Sequence, residues 1–301
     1  MRSGQLRRTR VLGILLFGLV VVGCGGSIPP DVSCDALVYS LDHYGDWEIF
    51  SLSADGVTQL TDGGGNDVNP SWSPGGDKIL FTSIRGGFAD LYVMASDGSQ
   101  IVNLTDGPEF ESSSDWSPDG STIVFDRVVD DDDDLAHHDE TDFVQIFVAP
   151  VERPVDGAVQ LTVSEPNAKP QWSPDGAQIA FLSWRDGNAE VYVMTNTGDE
   201  QTNLTNHPGF DVLPSWSPDG SRIAFVSDRD GTNQIWVMSA DGSDPTRITS
   251  HTQAATNPSW SSDGRHVLYT LEGEPNVIYA VVSTGGEPLR VTPGFTHDCR
   301  G

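Results

Sequence analysis

Four side chains able to offer oxygen to a cation stand at one fixed distance from four tryptophans. Asp67, Glu111, Asn167 and Asp211 each lie five residues before Trp72, Trp116, Trp172 and Trp216, and Ala255 holds the matching place before Trp260. Three carboxylates and an amide gathered in a ring would ligate a hard cation, with calcium as the candidate ion, because such ions take oxygen donors. The same ring would also receive a basic side chain from a partner. The plainer alternative is that each residue caps its own local turn. Arg85, Arg185 and Arg229 recur thirteen residues after their tryptophans, with Asp90 and Glu190 five residues beyond the first two. That spacing reads as an arginine–carboxylate pair bracing a turn, with partner contact as the second reading.

A different chemistry is offered by Asp130–Asp134, followed by His137, His138, Asp139 and Glu140. Five consecutive carboxylates repel one another, which predicts a solvated loop. Adjacent histidines lack the spacing of a closed metal site, so weak divalent-cation binding is the lesser reading. His207 and His251 occupy matching places after Leu204-Thr205 and Ile248-Thr249, which makes them features of a repeat. No Gly-x-Ser-x-Gly nucleophile elbow is present. The expectation is therefore a binding protein without enzymatic activity. The alternative is a carbohydrate-active or hydrolytic enzyme using a central channel.

The elements that must position these residues follow from an internal period. Trp-Ser-Pro-Asp-Gly stands at Trp116–Gly120, Trp172–Gly176 and Trp216–Gly220, with near copies from Trp72 and Trp260. The tryptophans are 44, 56, 44 and 44 residues apart, and the long interval holds an insertion at residues 130–141. Each repeat reads as four short strands broken by Gly- and Asp-rich turns, the plan of a propeller blade. In Ile223-Ala224-Phe225 both strand faces are apolar, as expected of a sheet packed between two neighbours. Second strands are predicted at residues 37–40, 79–82, 123–126, 179–182, 223–226 and 267–270. The fold class is thus all-β: a six-bladed β-propeller of four-stranded antiparallel blades over 37–299. The first blade lacks its own inner strand, and the tail near Phe295–Cys299 is expected to supply it. That places Cys34 beside Cys299, so the two form a disulfide or remain free thiols.

The pattern Pro214–Gly220, Ile235–Met238 and Asn203-Leu204-Thr205 resembles the TolB-type propeller repeat, and the resemblance spans about residues 35–299. It implies protein binding, and sometimes calcium, at the mouth of the central channel. It also implies a propeller without the α/β domain that precedes it in two-domain relatives.

The leader carries Arg2, Arg7, Arg8 and Arg10, then an apolar run from Val11 to Val22 too short to span a bilayer. Val21-Val22-Gly23-Cys24 resembles a bacterial lipobox, which implies a signal peptide over 1–23, lipidation at Cys24 and an anchor linker over 24–36. The alternative is an ordinary signal peptide. The expected location is the bacterial cell envelope, facing the periplasm or the cell surface, with an envelope protein or peptide as partner. With 44 acidic against 16 basic residues, nucleic acid and anionic membrane surfaces are excluded as partners.

Overall fold

The computed structural model describes residues 27–129, 143–152, 154–295 and 297–300. Lipidation at Cys24 and the acidic stretch 130–141, with its histidines, lie outside the described residues. Six four-stranded antiparallel sheets are present among those described. The fifth is representative: Asp211–Trp216, Arg222–Ser227, Gln234–Ser239 and Thr246–Arg247, from the channel outward. The first sheet takes its inner strand from the tail: His297–Arg300 pairs antiparallel with Ala36–His43, with Cys299 opposite Leu37. The disulfide Cys34–Cys299 fastens that junction, with 5.5 Å between the Cα atoms.

The turn motif folds as its composition dictates. In the fifth blade Ser217 Oγ donates to Asp219 Oδ1 at 2.6 Å and accepts from Arg222 N at 3.0 Å. Gly220 closes the turn at φ +70°, a conformation that glycine enters without strain. Hydrogen bonds from Ser217 and Ser221 hold the Asp219 carboxyl at a pKa of about 2. In the second blade Gly75 stands in the aspartate place, and Asp77 takes the Ser73 hydroxyl instead at 3.0 Å.

Alternation along each second strand then stacks the sheets. Ile223 and Phe225 pack on Ala180, Leu182 and Val191 of the fourth blade. Ala224 and Val226 pack on Ala255, Trp260 and Val267 of the sixth. Each of the larger side chains among them contributes about 1.5–3 kcal/mol on burial. Six hydrophobic clusters fill the six junctions, and one joins Leu37 and Tyr39 to Leu268 and Ile278 between the last blade and the first. The ring is closed.

Each strand connection lies on one of two faces. The Trp-Ser-Pro-Asp-Gly turns and the turns between third and outer strands share a turn face, where Ser96 N donates to Asp77 O. The second-to-third-strand turns and the crossovers to the next blade share a loop face, where Ile84 N donates to Asn66 O. Thr122–Val129 and Phe143–Pro150, the strands on either side of the insertion, pair up to Val129 and Phe143, at the loop-face end of the blade.

Candidate functional site: the channel and its rim

The four residues five before the tryptophans begin the inner strands at the loop face, but they do not form an open ring. Asp67, Glu111, Asn167 and Asp211 are fully buried. Each turns to an arginine of its own blade: Arg85 to Asp67 at 2.6 Å, Arg127 to Glu111 at 2.7 Å and Arg229 to Asp211 at 2.9 Å. Arg185 donates to the Asn167 amide oxygen at 3.1 Å. Every guanidinium also lies over two rings, as Arg229 does over Phe225 and Trp236 at 5.4 and 4.6 Å. The expectation of carboxylates crowding the mouth is therefore corrected. A buried carboxylate without a partner would be costly, and the same blade supplies its counter-charge on a platform of aromatic rings. Arg127 belongs to this series although it stands eleven residues after Trp116, out of step with the other three.

Asp90 and Glu190 are not the arginines' partners. Glu190 accepts from Thr205 Oγ1 and His207 N, while Asp90 accepts from Asn103 at 2.9 Å. They hold the crossover loops, and the Leu-Thr ending of each repeat has the same task. Thr249 Oγ1 donates to Gln234 Oε1 at 2.9 Å and accepts Ile235 N at 2.9 Å.

Burial decides the ionisation of the paired carboxyls. It raises the Glu111 pKa to about 7 against the opposing pull of Arg127, and it raises that of Asp67 against Ser83 and Arg85. Glu111 Oε2 and Asp67 Oδ1 have no hydrogen-bond partner, which agrees with that direction.

The channel itself is built from positions nearer the tryptophans. A cavity of about 270 Å³ is lined by residues of all six inner strands. In four of them a β-bulge turns the residue three before the tryptophan into the left-handed region: Asn69 at φ +54°, Lys169 at +54°, Leu213 at +55° and Asn257 at +51°. Lys169 Nζ donates to Ser113 Oγ at 2.6 Å. Two carboxylates also line the cavity, Asp115 and Asp298. Both serve blade junctions: Asp115 Oδ2 accepts Trp172 N at 2.9 Å and Asp298 Oδ2 accepts Trp72 N at 2.8 Å. Their other oxygens accept Trp116 N and Cys299 N. Burial lifts Asp298 to about 6 and Asp115 to about 7, the latter helped by the charge of Asp298. Gln171 Oε1 does the same for Trp216 N at 2.7 Å, so the task needs an acceptor and not a charge. Among the described residues, no group of three or more His, Cys, Asp or Glu is gathered for a metal.

Comparison with known proteins agrees with this geometry. The TolB beta propeller domain family (PD40) matches residues 24–147 and 140–298. The chain belongs to the TolB beta-propeller family. TolB from Acinetobacter baumannii superposes with a TM-score of 0.72 at 18% identity, over 90% of this chain and 67% of that one. A putative TolB from Agrobacterium tumefaciens gives 0.69 at 21% identity, over 88% and 92%. At those identities the likeness concerns the fold alone. In sequence, an uncharacterized peptidase, YuxL, of Bacillus subtilis is 43% identical over 54 residues, which is 17% of this chain and 8% of that protein. The chain thus spans less than a tenth of that relative's length.

Proposed function

We propose that this TolB-family propeller is a lipid-anchored binding or scaffold module of the bacterial cell envelope, without enzymatic activity. It presents one end of its channel to a protein or peptide partner. The observation carrying this reading is where the repeat varies. Positions that pack blades are nearly uniform, as in Phe81, Phe125, Phe181 and Phe225. Positions lining the channel are not: Asn69, Ser113, Lys169, Leu213 and Asn257 share one place in the repeat. A regular frame carrying an irregular inner surface suits recognition of one irregular partner. The acidic balance of the chain favours basic protein surfaces over nucleic acid.

The anchor reading rests on the leader and the Val21–Cys24 motif. In-cell crosslinking with mass-spectrometric identification, on wild type and Cys24→Ala, tests both parts. Wild type should take up a palmitate analogue and yield protein adducts, and the variant should lose the label. An unlabelled wild-type chain removes the anchor, and a chain without protein adducts removes the binding role. Calcium at the mouth would need ligands other than Asp67, Glu111 and Asp211, which arginines engage, and a calorimetric titration without heat would exclude it.

A further inference from the structure

The described chain enters the fold at the end of the molecule opposite the loop face. The chain enters its first strand at Ala36, on the turn face, because Ala36 starts the strand that pairs with the end of the tail strand. Ser33 is tied there to the Trp-Ser-Pro-Asp-Gly-type turn of the sixth blade: Ser262 N donates to Ser33 O at 3.0 Å, and the two hydroxyls are 3.0 Å apart. From Cys24 to Ser33 the chain reaches at most roughly 30 Å when extended. A lipid on Cys24 would therefore attach to the fold through its turn face, the end opposite the loop face.

The loop face carries exposed apolar side chains. Phe210 is 52% exposed, Ile84 45%, Phe88 39% and Tyr44 74%. Phe88 meets Phe110 edge to face at 5.4 Å across the second and third blades. Asn66, Phe110, Pro166, Phe210 and Ala254 share the place just before each inner strand, so the aromatic side chains stand at the rim and break the repeat there. Between them stand exposed acids: Asp46, Asp62, Asp106, Glu165 and Glu274. Most arginines of this face do not offset them. Arg85, Arg127 and Arg229 are each paired with a buried carboxylate of their own blade, whereas Arg185, bound to the neutral Asn167 amide, keeps its charge. Arg247 is paired with Asp230 at 2.8 Å.

We propose that this loop face is the docking surface, and that its occupant is a protein segment carrying aliphatic or aromatic side chains flanked by lysine or arginine. The proposal rests on the binding role above and adds the face and the chemistry of the partner. Apolar anchors supply affinity at the centre of such a contact, and the surrounding acids select basic flanks and repel acidic ones. The excess of acid disfavours an anionic membrane as occupant.

The test places a benzoylphenylalanine photocrosslinker in the full-length, exported chain, one position at a time. Phe88 and Phe210 sample the loop face; Ser121 and Thr197, both exposed, sample the turn face. Protein adducts should form from the first pair and not the second, and the crosslinked partner peptide should carry basic residues beside apolar ones. Phe88→Ser and Phe210→Ser together should weaken the purified partner's binding by about tenfold or more, the scale of hot-spot loss, with unchanged melting temperature. Adducts mainly from Ser121 or Thr197, an acidic partner segment, or lipid adducts from Phe210 would each overturn the proposal while leaving a binding role intact. Absence of protein adducts from all four positions would instead remove the binding role itself.

Discussion

An arginine held between a buried carboxylate and two rings is a structural device whose two halves cannot be separated cheaply. Arg229→Ala would leave Asp211 buried without its cation, at a cost of about 3–5 kcal/mol in urea unfolding. Arg229→Lys should recover only part of that, since an ammonium neither stacks on Phe225 and Trp236 nor keeps the bond to Ser227. Glu111 gives a sign that can be checked. Its folded pKa of about 7 exceeds the ordinary value of 4.5, so the folded chain binds more protons between those values. Stability from this group is full below pH 4.5 and is lost as pH rises toward 7. Glu111→Gln should flatten that part of the profile in melts between pH 4.5 and 8, and a variant with the wild-type slope would remove Glu111 as its source. His297 acts in the opposite direction. Burial lowers its pKa to about 4, so its contribution is present above 6.5 and lost as pH falls toward 4. Asp115 and Asp298, also raised by burial, add to the loss from Glu111 over the same range, so three losses outweigh the one gain and wild-type stability should fall as pH rises from about 5 toward 7.

Single elements in this protein depend on turns more than on strand length. The outer strand of most blades is two residues long, as at Thr246–Arg247, shorter than the apolar pattern suggests. Ile248 N still donates to Ile235 O, and pairing ends at Thr249, whose hydroxyl is drawn onto Gln234 as the next crossover begins. The burden of alignment then falls on the tight turns. Gly176 sits at φ +71° with open space around its added Cβ apart from Pro118 at 3.6 Å. Gly176→Ala should therefore cost about 1 kcal/mol through backbone strain and not through collision, measured by the shift in urea midpoint.

Closure is a property of the whole ring. The first blade exists only when the tail returns across a separation of 265 residues to meet Cys34. A disulfide over so long a loop stabilises by roughly 2–5 kcal/mol. Cys299→Ser should lower the unfolding free energy by that amount and expose the edge of the first sheet to early proteolysis. Free thiols at both positions in non-reducing peptide mapping of the native protein would contradict the bridge. Asp298 adds a second clasp on the tail strand through Trp72 N, so in Cys299→Ser the seam should open transiently and not stay open.

Period and alternation made the fold readable from the sequence. The 44-residue spacing, the Pro-Asp-Gly turns and the two-faced apolar strands each follow from short-range geometry, and they imply six blades with a tail strand closing the first. The place of Cys34 beside Cys299 followed from the same register. The site was less readable. Spacing from a tryptophan tells which residues share a place in every blade, but not which way a side chain turns. Asp67, Glu111, Asn167 and Asp211 turn inward because an arginine from the adjoining strand lies above aromatic rings, and that meeting of two strands is tertiary. The channel residues were passed over because they do not recur in kind: Asn69, Ser113, Lys169, Leu213 and Asn257 look like noise in the repeat. Only folding brings these five into one cavity and sets Phe88 against Phe110 on the loop face, because contacts between blades join residues that the sequence keeps some tens of positions apart.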